Sequence, residues 1–233
     1  MPQSSPSSPA PVSGRHGRSD GMVTRQHLMD VAGQLIAERG FDATTSKQIC
    51  EAAGVNMASI NYHFGSREAL YAELLVQAHR HWIGLDLLRA IAETPGDARS
   101  RLCRAIDAFV QASCREHGWH LPLLMRALIM PSPLLDPLIE QEILPKRTIM
   151  WRLIAEAAGL PESDPRVPAC LLSIMGPILM LFLIHRQTMR RVIRDFQGEE
   201  AALSAHFRHW ALAGLDALQH APAAAGPDTG VSA

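Results

Sequence analysis

Apolar residues recur along this chain every three to four positions, and almost nowhere on alternate positions. Leu28, Val31, Ala32, Leu35 and Ile36 make the first stripe, which predicts a helix over about residues 24–39. Gly40 closes it as a left-handed C-terminal cap would. Thr45-Ser46-Lys47-Gln48 fits a capping box and starts a second helix that stops at Gly54. Asn56 can cap a third short helix over 57–64, and Ser66 a fourth over about 67–88.

Beyond Pro95-Gly96, Asp97 is placed to cap a helix to about residue 116, and a shorter one follows over 121–130. Ser132-Pro133 opens a stretch to about residue 158 that Pro137 and Pro145 must bend or break. Asp164-Pro165 repeats the signal before a long helix to about residue 193. The last helix, over about 199–219, carries Leu203, Phe207, Trp210, Ala211, Leu215 and Leu218 on one face. The expected class is all-α, in two domains: helices over 22–82, then helices over 83–220. Ser/Pro/Gly-rich and Ala/Pro-rich segments at 1–21 and 221–233 read as disordered tails.

Ala53-Gly54-Val55 joins the second and third helices by a tight glycine turn, the sign of a helix-turn-helix. Ile49, Ala52, Ile60 and Phe64 are expected to pack this pair onto the first helix. The third helix then stays free to enter a major groove. Thr45, Ser46 and Lys47 sit at a helix N-terminus, where N–H groups favour phosphate. Tyr62, His63 and Arg67 are candidates for the backbone phosphates. Asn56 caps the third helix, and Met57, Ala58, Ser59 and Asn61 form its outward face. Asn suits adenine there, and Ala or Met a thymine methyl.

Net charge is −1, so any DNA-binding surface must be local. From Thr24 to Phe64 the bases are Arg25, Arg39 and Lys47, against Asp30, Glu38, Asp42 and Glu51. With acids outnumbering bases, hydroxyls, Tyr62 and helix N-termini must carry much of the phosphate contact, and binding should weaken only modestly with salt. Arg15, His16 and Arg18 could let the N-terminal tail reach a minor groove; an unattached tail is the plainer reading.

The run from Thr45 to Phe64 closely resembles the DNA-binding motif of TetR-family regulators, as do the flanking Ala37-Glu38-Arg39-Gly40-Phe41 and Gly65-Ser66-Arg67-Glu68-Ala69-Leu70-Tyr71. Ile60-Asn61-Tyr62-His63-Phe64, Pro131-Ser132-Pro133-Leu134-Leu135-Asp136 and Gly159-Leu160-Pro161 are similar to the CecR-like subgroup. Acidic residues of that subgroup are replaced here by Ala127 and Met130, which leaves Arg126 without its usual partner. The resemblance implies a three-helix helix-turn-helix DNA-binding domain over 22–82 and a helical ligand-binding and dimerisation domain over 83–220, a homodimer through the last two long helices, a near-palindromic operator in double-stranded DNA, and a small-molecule inducer that releases a repressor. It also implies efflux or detoxification genes as targets.

His117, Trp119, Arg126, Met130, Trp151 and His185 are the candidate ligand contacts, while the methionines, Met150 and Met175 among them, read mainly as core filler. His79 and His81 point to different faces, and His206 and His209 lack a nearby carboxylate or cysteine, so no metal site is expected. No cofactor is expected either. There is no Gly-rich phosphate loop, no Gly-x-Ser-x-Gly and no metal triad, which argues against an enzyme. Cys50, Cys103, Cys114 and Cys170 include no Cys-x-x-Cys pair and read as reduced thiols of a cytoplasmic protein. The apolar run 169–184 is shorter than the ~20 residues of a bilayer span and is interrupted by Gly176-Pro177, so a buried helix is expected and no membrane. The competing reading is a helical dimer that acts through a protein partner or carries a ligand, and binds no DNA.

Overall fold

The computed structural model describes residues 16–183, 191–192 and 199–220, and all its regular structure there is helical. The helices are α1 His16–Arg39, α2 Ser46–Ala53, α3 Ala58–Phe64, α4 Arg67–Trp82, α5 Leu85–Glu93, α6 Ala98–Cys114, α7 His120–Ile129, α8 Leu144–Ala158, α9 Val167–Leu183 and α10 Glu200–His220. The chain divides into two compact units between Tyr71 and Ala72, inside α4. Residues 1–15 of the tail expected over 1–21, and the tail expected over 221–233, lie outside the described residues.

In the first unit α1 packs on α2, and α2 on α3. Leu28, Met29, Ala32 and Ile36 are buried against Ile49, Cys50, Ala53, Ile60 and Phe64. Two details differ from the sequence reading. α1 begins at His16 rather than Thr24, so residues 16–21 are helical rather than tail. Gly17, Ser19, Asp20 and Gly21 are weak helix formers and hid this start. Ala53, not Ala52, is the buried alanine of α2, because Ile49 and Cys50 turn the inward face by one residue.

The turns follow local chemistry. Thr45 Oγ1 accepts from the Gln48 N–H at 3.3 Å, and Gln48 Oε1 accepts from the Thr45 N–H at 2.8 Å. This capping box satisfies two donors at the start of α2. Gly54 ends α2 at φ 65°, a left-handed value that favours glycine. Ser66 Oγ accepts from the Ala69 N–H and opens α4.

In the second unit α6 is the hub, packed by α5, α8, α9 and α10. Its buried face is Leu102, Ala105, Ile106, Phe109 and Val110. Asp97 caps it through the Ser100 N–H, as its position suggests. The single helix expected over 67–88 is broken instead: α4 stops at Trp82 and Gly84 takes an extended conformation. The break lets Ile83 and Leu88 both reach the core. The proline-bearing stretch is also irregular. Pro133–Leu135 is a 3₁₀ turn, Asp136–Leu138 a single α-turn, and Ile139–Ile143 a π turn that leads into α8. The π turn widens the backbone just before Pro145, which has no N–H and whose ring would otherwise press on the Gln141 carbonyl.

Asp164 accepts from the Arg166 backbone and guanidinium, and α9 starts at Val167. α9 buries Val167, Cys170, Ile174, Ile178 and Phe182 while Leu172 and Met180 stay exposed. Residues 184–190, where the expected helix continues, lie outside the described residues. No helix among the described residues is long and apolar enough to cross a membrane.

Candidate nucleic-acid interface

α3 separates its residues cleanly by polarity. Ile60 and Phe64 are buried, whereas Tyr62 is 81% exposed and Met57 53%. Ala58 and Asn61 are exposed as well, and Ser59 and His63 are half-buried. The ring of Tyr62 meets His63 edge-on at 4.8 Å. Asn56 Oδ1 accepts from the Ala58 N–H at 2.9 Å, so this exposed residue fixes the start of the helix beside the outward face. Thr45 and Lys47 are exposed and Ser46 half-buried, at the N-terminus of α2. The result is a rigid polar surface with a hydroxyl, an amide and a phenol in solvent and an apolar backing, suited to base edges and phosphates.

Its cations are largely engaged. Lys47 Nζ lies 3.7 Å from Glu51 Oε1, with both side chains mostly in solvent. The Arg25 guanidinium sits over the Phe64 ring at 4.8 Å. Arg67, expected at phosphate, is turned inward instead. It donates to the carbonyl oxygens of Thr44 at 2.7 Å and Phe41 at 3.2 Å, and its guanidinium covers the Phe41 ring at 4.1 Å. The Phe41 carbonyl already takes the Thr44 N–H at 3.1 Å, and Arg67 adds a second donor there and one at the Thr44 carbonyl. Burial pushes the Cys50 thiol above its usual range, which suits a core residue and not a nucleophile.

The ligand candidates scatter. His117 is buried, with ring centroids 5.7 Å from His81 and 4.9 Å from Phe182. Burial, then the neighbouring His81, holds its pKa below the ordinary histidine value. Trp119 stacks on His120 at 3.8 Å, and His120 on His81 at 4.0 Å, so His117 and Trp119 share one ring cluster. Arg126 and Met130 are exposed on α7 and at its end, because the inward face of that helix is Leu123, Leu124 and Ala127. Trp151 donates to the Glu162 carbonyl at 2.9 Å, a tie between α8 and the loop after it. His185 lies outside the described residues. Among the described residues no group of three His, Cys, Asp or Glu is arranged to hold a metal ion.

A polar cluster that the sequence reading passed over lies in the second unit. Glu142 and Lys146 are buried, their side chains 2% and 4% exposed, and pair at 2.7 Å. Lys146 Nζ also lies 2.8 Å from His79 Nδ1, and Glu142 takes the guanidinium of Arg80 on its other oxygen. Burial, then the charge on Lys146, drives the His79 pKa down to about 3, so the ring is neutral and accepts from the ammonium. Burial lowers Lys146 too. For Glu142 burial pushes upward, but hydrogen bonds from Lys146 and Arg80 prevail and leave the carboxyl below its ordinary value. The i, i+4 spacing of Glu142 and Lys146 was visible in sequence, yet such pairs usually lie on solvated faces.

Comparison with known proteins matches two regions. Residues 28–74 match the family of bacterial regulatory proteins named tetR, and residues 98–218 match the C-terminal domain of the HTH-type transcriptional dual regulator CecR. The chain is 42% identical to the HTH-type transcriptional repressor KstR2 of Rhodococcus jostii (strain RHA1) over 64 residues, which spans only 28% of each chain. It is 27% identical to CecR of Shigella flexneri over 179 residues, 72% of this chain and 79% of that one. The fold resembles the crystal structure of the TetR-family regulator PfmR from Thermus thermophilus, with TM-score 0.56 and 15% identity over 80% of this chain and 97% of that one.

Proposed function

Because the chain belongs to the TetR family of bacterial transcriptional regulators, with a C-terminal domain of the CecR type, we propose that it is a homodimeric repressor released from its operator by a small molecule. The observation that carries this reading is the solvent-facing set Met57, Asn61 and Tyr62 on a helix anchored by buried Ile60 and Phe64. Two such helices, one from each protomer, enter successive major grooves ~34–36 Å apart and read a near-palindrome. Asn61 and Met57 face bases, and Tyr62, His63, Thr45 and Ser46 face phosphates. With Arg67 turned inward and Lys47 beside Glu51, few cations are free, so affinity falls only modestly with salt.

Pairing of α9 and α10 with their copies supplies the dimer. Leu172, Met180 and Trp210 are 74%, 49% and 47% exposed, and an apolar groove of about 280 Å³ runs between the two helices beside Trp210. Apolar area of this kind marks a protein contact. A ligand that binds best to a protomer spacing unsuited to DNA shifts the population off the operator. The regulated genes serve efflux or detoxification in this reading. The family is one of regulators, and the chain is not an enzyme.

The test recovers fragments of sheared source DNA on the purified protein at ~0.1–0.2 M salt and sequences them. The expected result is a few fragments that share a near-palindrome, lost with Tyr62→Ala or Asn61→Ala. Intact operator binding by both variants removes α3 as the reading helix. A reporter gene behind the recovered site decides between repression and activation, and a monomer in analytical ultracentrifugation at micromolar concentration removes the dimer.

A further inference from the structure

Arg67 opens α4 just after α3 ends, yet its side chain is only 25% exposed. It grips the loop between α1 and α2. That loop is tightly built. Thr44 is wholly buried, its hydroxyl donates to the Gly40 carbonyl at 2.8 Å, and its N–H donates to the Phe41 carbonyl at 3.1 Å. Arg67 Nη1 donates to the Thr44 and Phe41 carbonyls, and the guanidinium covers the Phe41 ring. That ring in turn stacks on Tyr71, further along α4, at 4.5 Å.

The peptide between Thr44 and Thr45 is the informative group. Its carbonyl accepts from Arg67 at 2.7 Å, and its N–H donates to Gln48 Oε1 at 2.8 Å. A peptide group is planar, so a donor on one edge and an acceptor on the other fix its plane. Thr45 is the N-cap of α2, and Ser46 is the first residue of that helix. The plane of this one peptide therefore sets the direction in which the Thr45 side chain leaves the backbone and in which α2 begins. A charged donor makes a stronger bond to the carbonyl than a neutral one. Swinging Arg67 out to a phosphate would take that donor from a carbonyl that solvent does not reach, because Thr44 is 0% exposed. Glu68 Oε1, 3.5 Å from Nη2, offsets part of the charge that remains.

We infer that Arg67 is a positioning residue for DNA binding and not a phosphate contact: it fixes the Thr44–Thr45 peptide and thereby holds Thr45, Ser46 and the first turn of α2 where they meet the DNA backbone. The inference rests on the operator reading above and adds to it how the α2 end of the surface is held.

The experiment is titration of the full chain, by fluorescence anisotropy, into a labelled duplex of the recovered near-palindrome at several salt concentrations. Urea unfolding of each variant gives the folded fraction, so that affinity is stated for folded chain. Arg67→Met keeps the length of the side chain and its cover on Phe41 but removes every donor. It should weaken binding by about tenfold, the worth of a hydrogen bond to a charged group, and leave the slope of log affinity against log salt as in the native chain. A slope that flattens by about 0.9 for each protomer means a lost phosphate contact and overturns the inference. Native affinity in the folded fraction also overturns it, since Arg67 then serves stability alone. Phe41→Leu loosens the guanidinium without changing any charge, and it should weaken binding severalfold at the native slope. Unchanged affinity in that variant overturns the inference, and it decides the matter if Arg67→Met does not fold. A native chain that enriches no fragment and binds no duplex removes the operator reading, and the inference with it. A native chain that binds while the variants depart from these outcomes keeps the reading and removes the inference alone.

Discussion

The two units distribute polarity in opposite ways. In the first, the polar groups Asn61 and Tyr62 stand in solvent and apolar Ile60 and Phe64 lie beneath them. In the second, charged Glu142 and Lys146 are buried, while apolar Leu172, Met180 and Trp210 stand in solvent. An outward polar face meets a hydrated, charged partner and needs little rearrangement. A buried ion pair has already lost its water, so each member depends on the other and on every further acceptor. The first region can change its side chains at little cost to folding. The second ties its chemistry to the stability of the unit itself.

The largest effect is expected where that dependence is strongest. Glu142→Gln leaves the Lys146 ammonium buried without its counter-ion and should cost about 3–5 kcal/mol, read from urea unfolding. A loss under ~0.5 kcal/mol would show that the pair is solvated and the contrast between the units is false.

Acid comes next. His79 in the folded chain stays neutral down to about pH 3, against an ordinary value of 6.5. Below 6.5 the unfolded chain takes up a proton that the folded chain refuses. Stability therefore falls as pH drops from 6.5 toward 3, by up to ~1.4 kcal/mol per pH unit for one proton. His117 is shifted the same way, and the depressed Glu142 adds a loss of the same sign at lower pH. Urea midpoints measured from about pH 7.5 to 4.5 should decline across this window, and His79→Gln should flatten the decline.

Smaller effects belong to the first unit. Thr45→Ala removes the cap of α2 and should cost about 1 kcal/mol in the same assay. Tyr62→Ala should shift stability by less than ~0.5 kcal/mol, because the ring is 81% exposed, while it removes operator binding. A large loss of stability in that variant would mean that Tyr62 supports the fold.

Much of the first unit was legible in the chain. The capping box at Thr45, the glycine at 54 and the Asn56 cap are local devices, set by residues within four positions of each other, and the structure realises each. Caps at Asp97 and Ser66 were legible for the same reason. Arg67 was read outward, because a surface arginine beside a DNA motif suggests phosphate. Its acceptors, the carbonyls of Phe41 and Thr44, lie more than twenty positions away. The break at Gly84 was missed because the periodicity of the region continues through it, and only the burial of Ile83 and Leu88 shows why the chain turns there.

Sequence alone therefore determined the all-helical class, the helix-turn-helix and most helix ends, since these rest on periodicity and on hydrogen bonds a few residues long. Tertiary structure decided which charges are buried. His79 and Arg80 meet Glu142 and Lys146 across more than sixty positions, and Met150 and Met175, read as filler, line one apolar cleft with Trp82 and Phe109. No local pattern encodes such meetings. An i, i+4 acid–base pair looks the same on a wet face and in a core, and only the helices packed over it remove the water that makes it count.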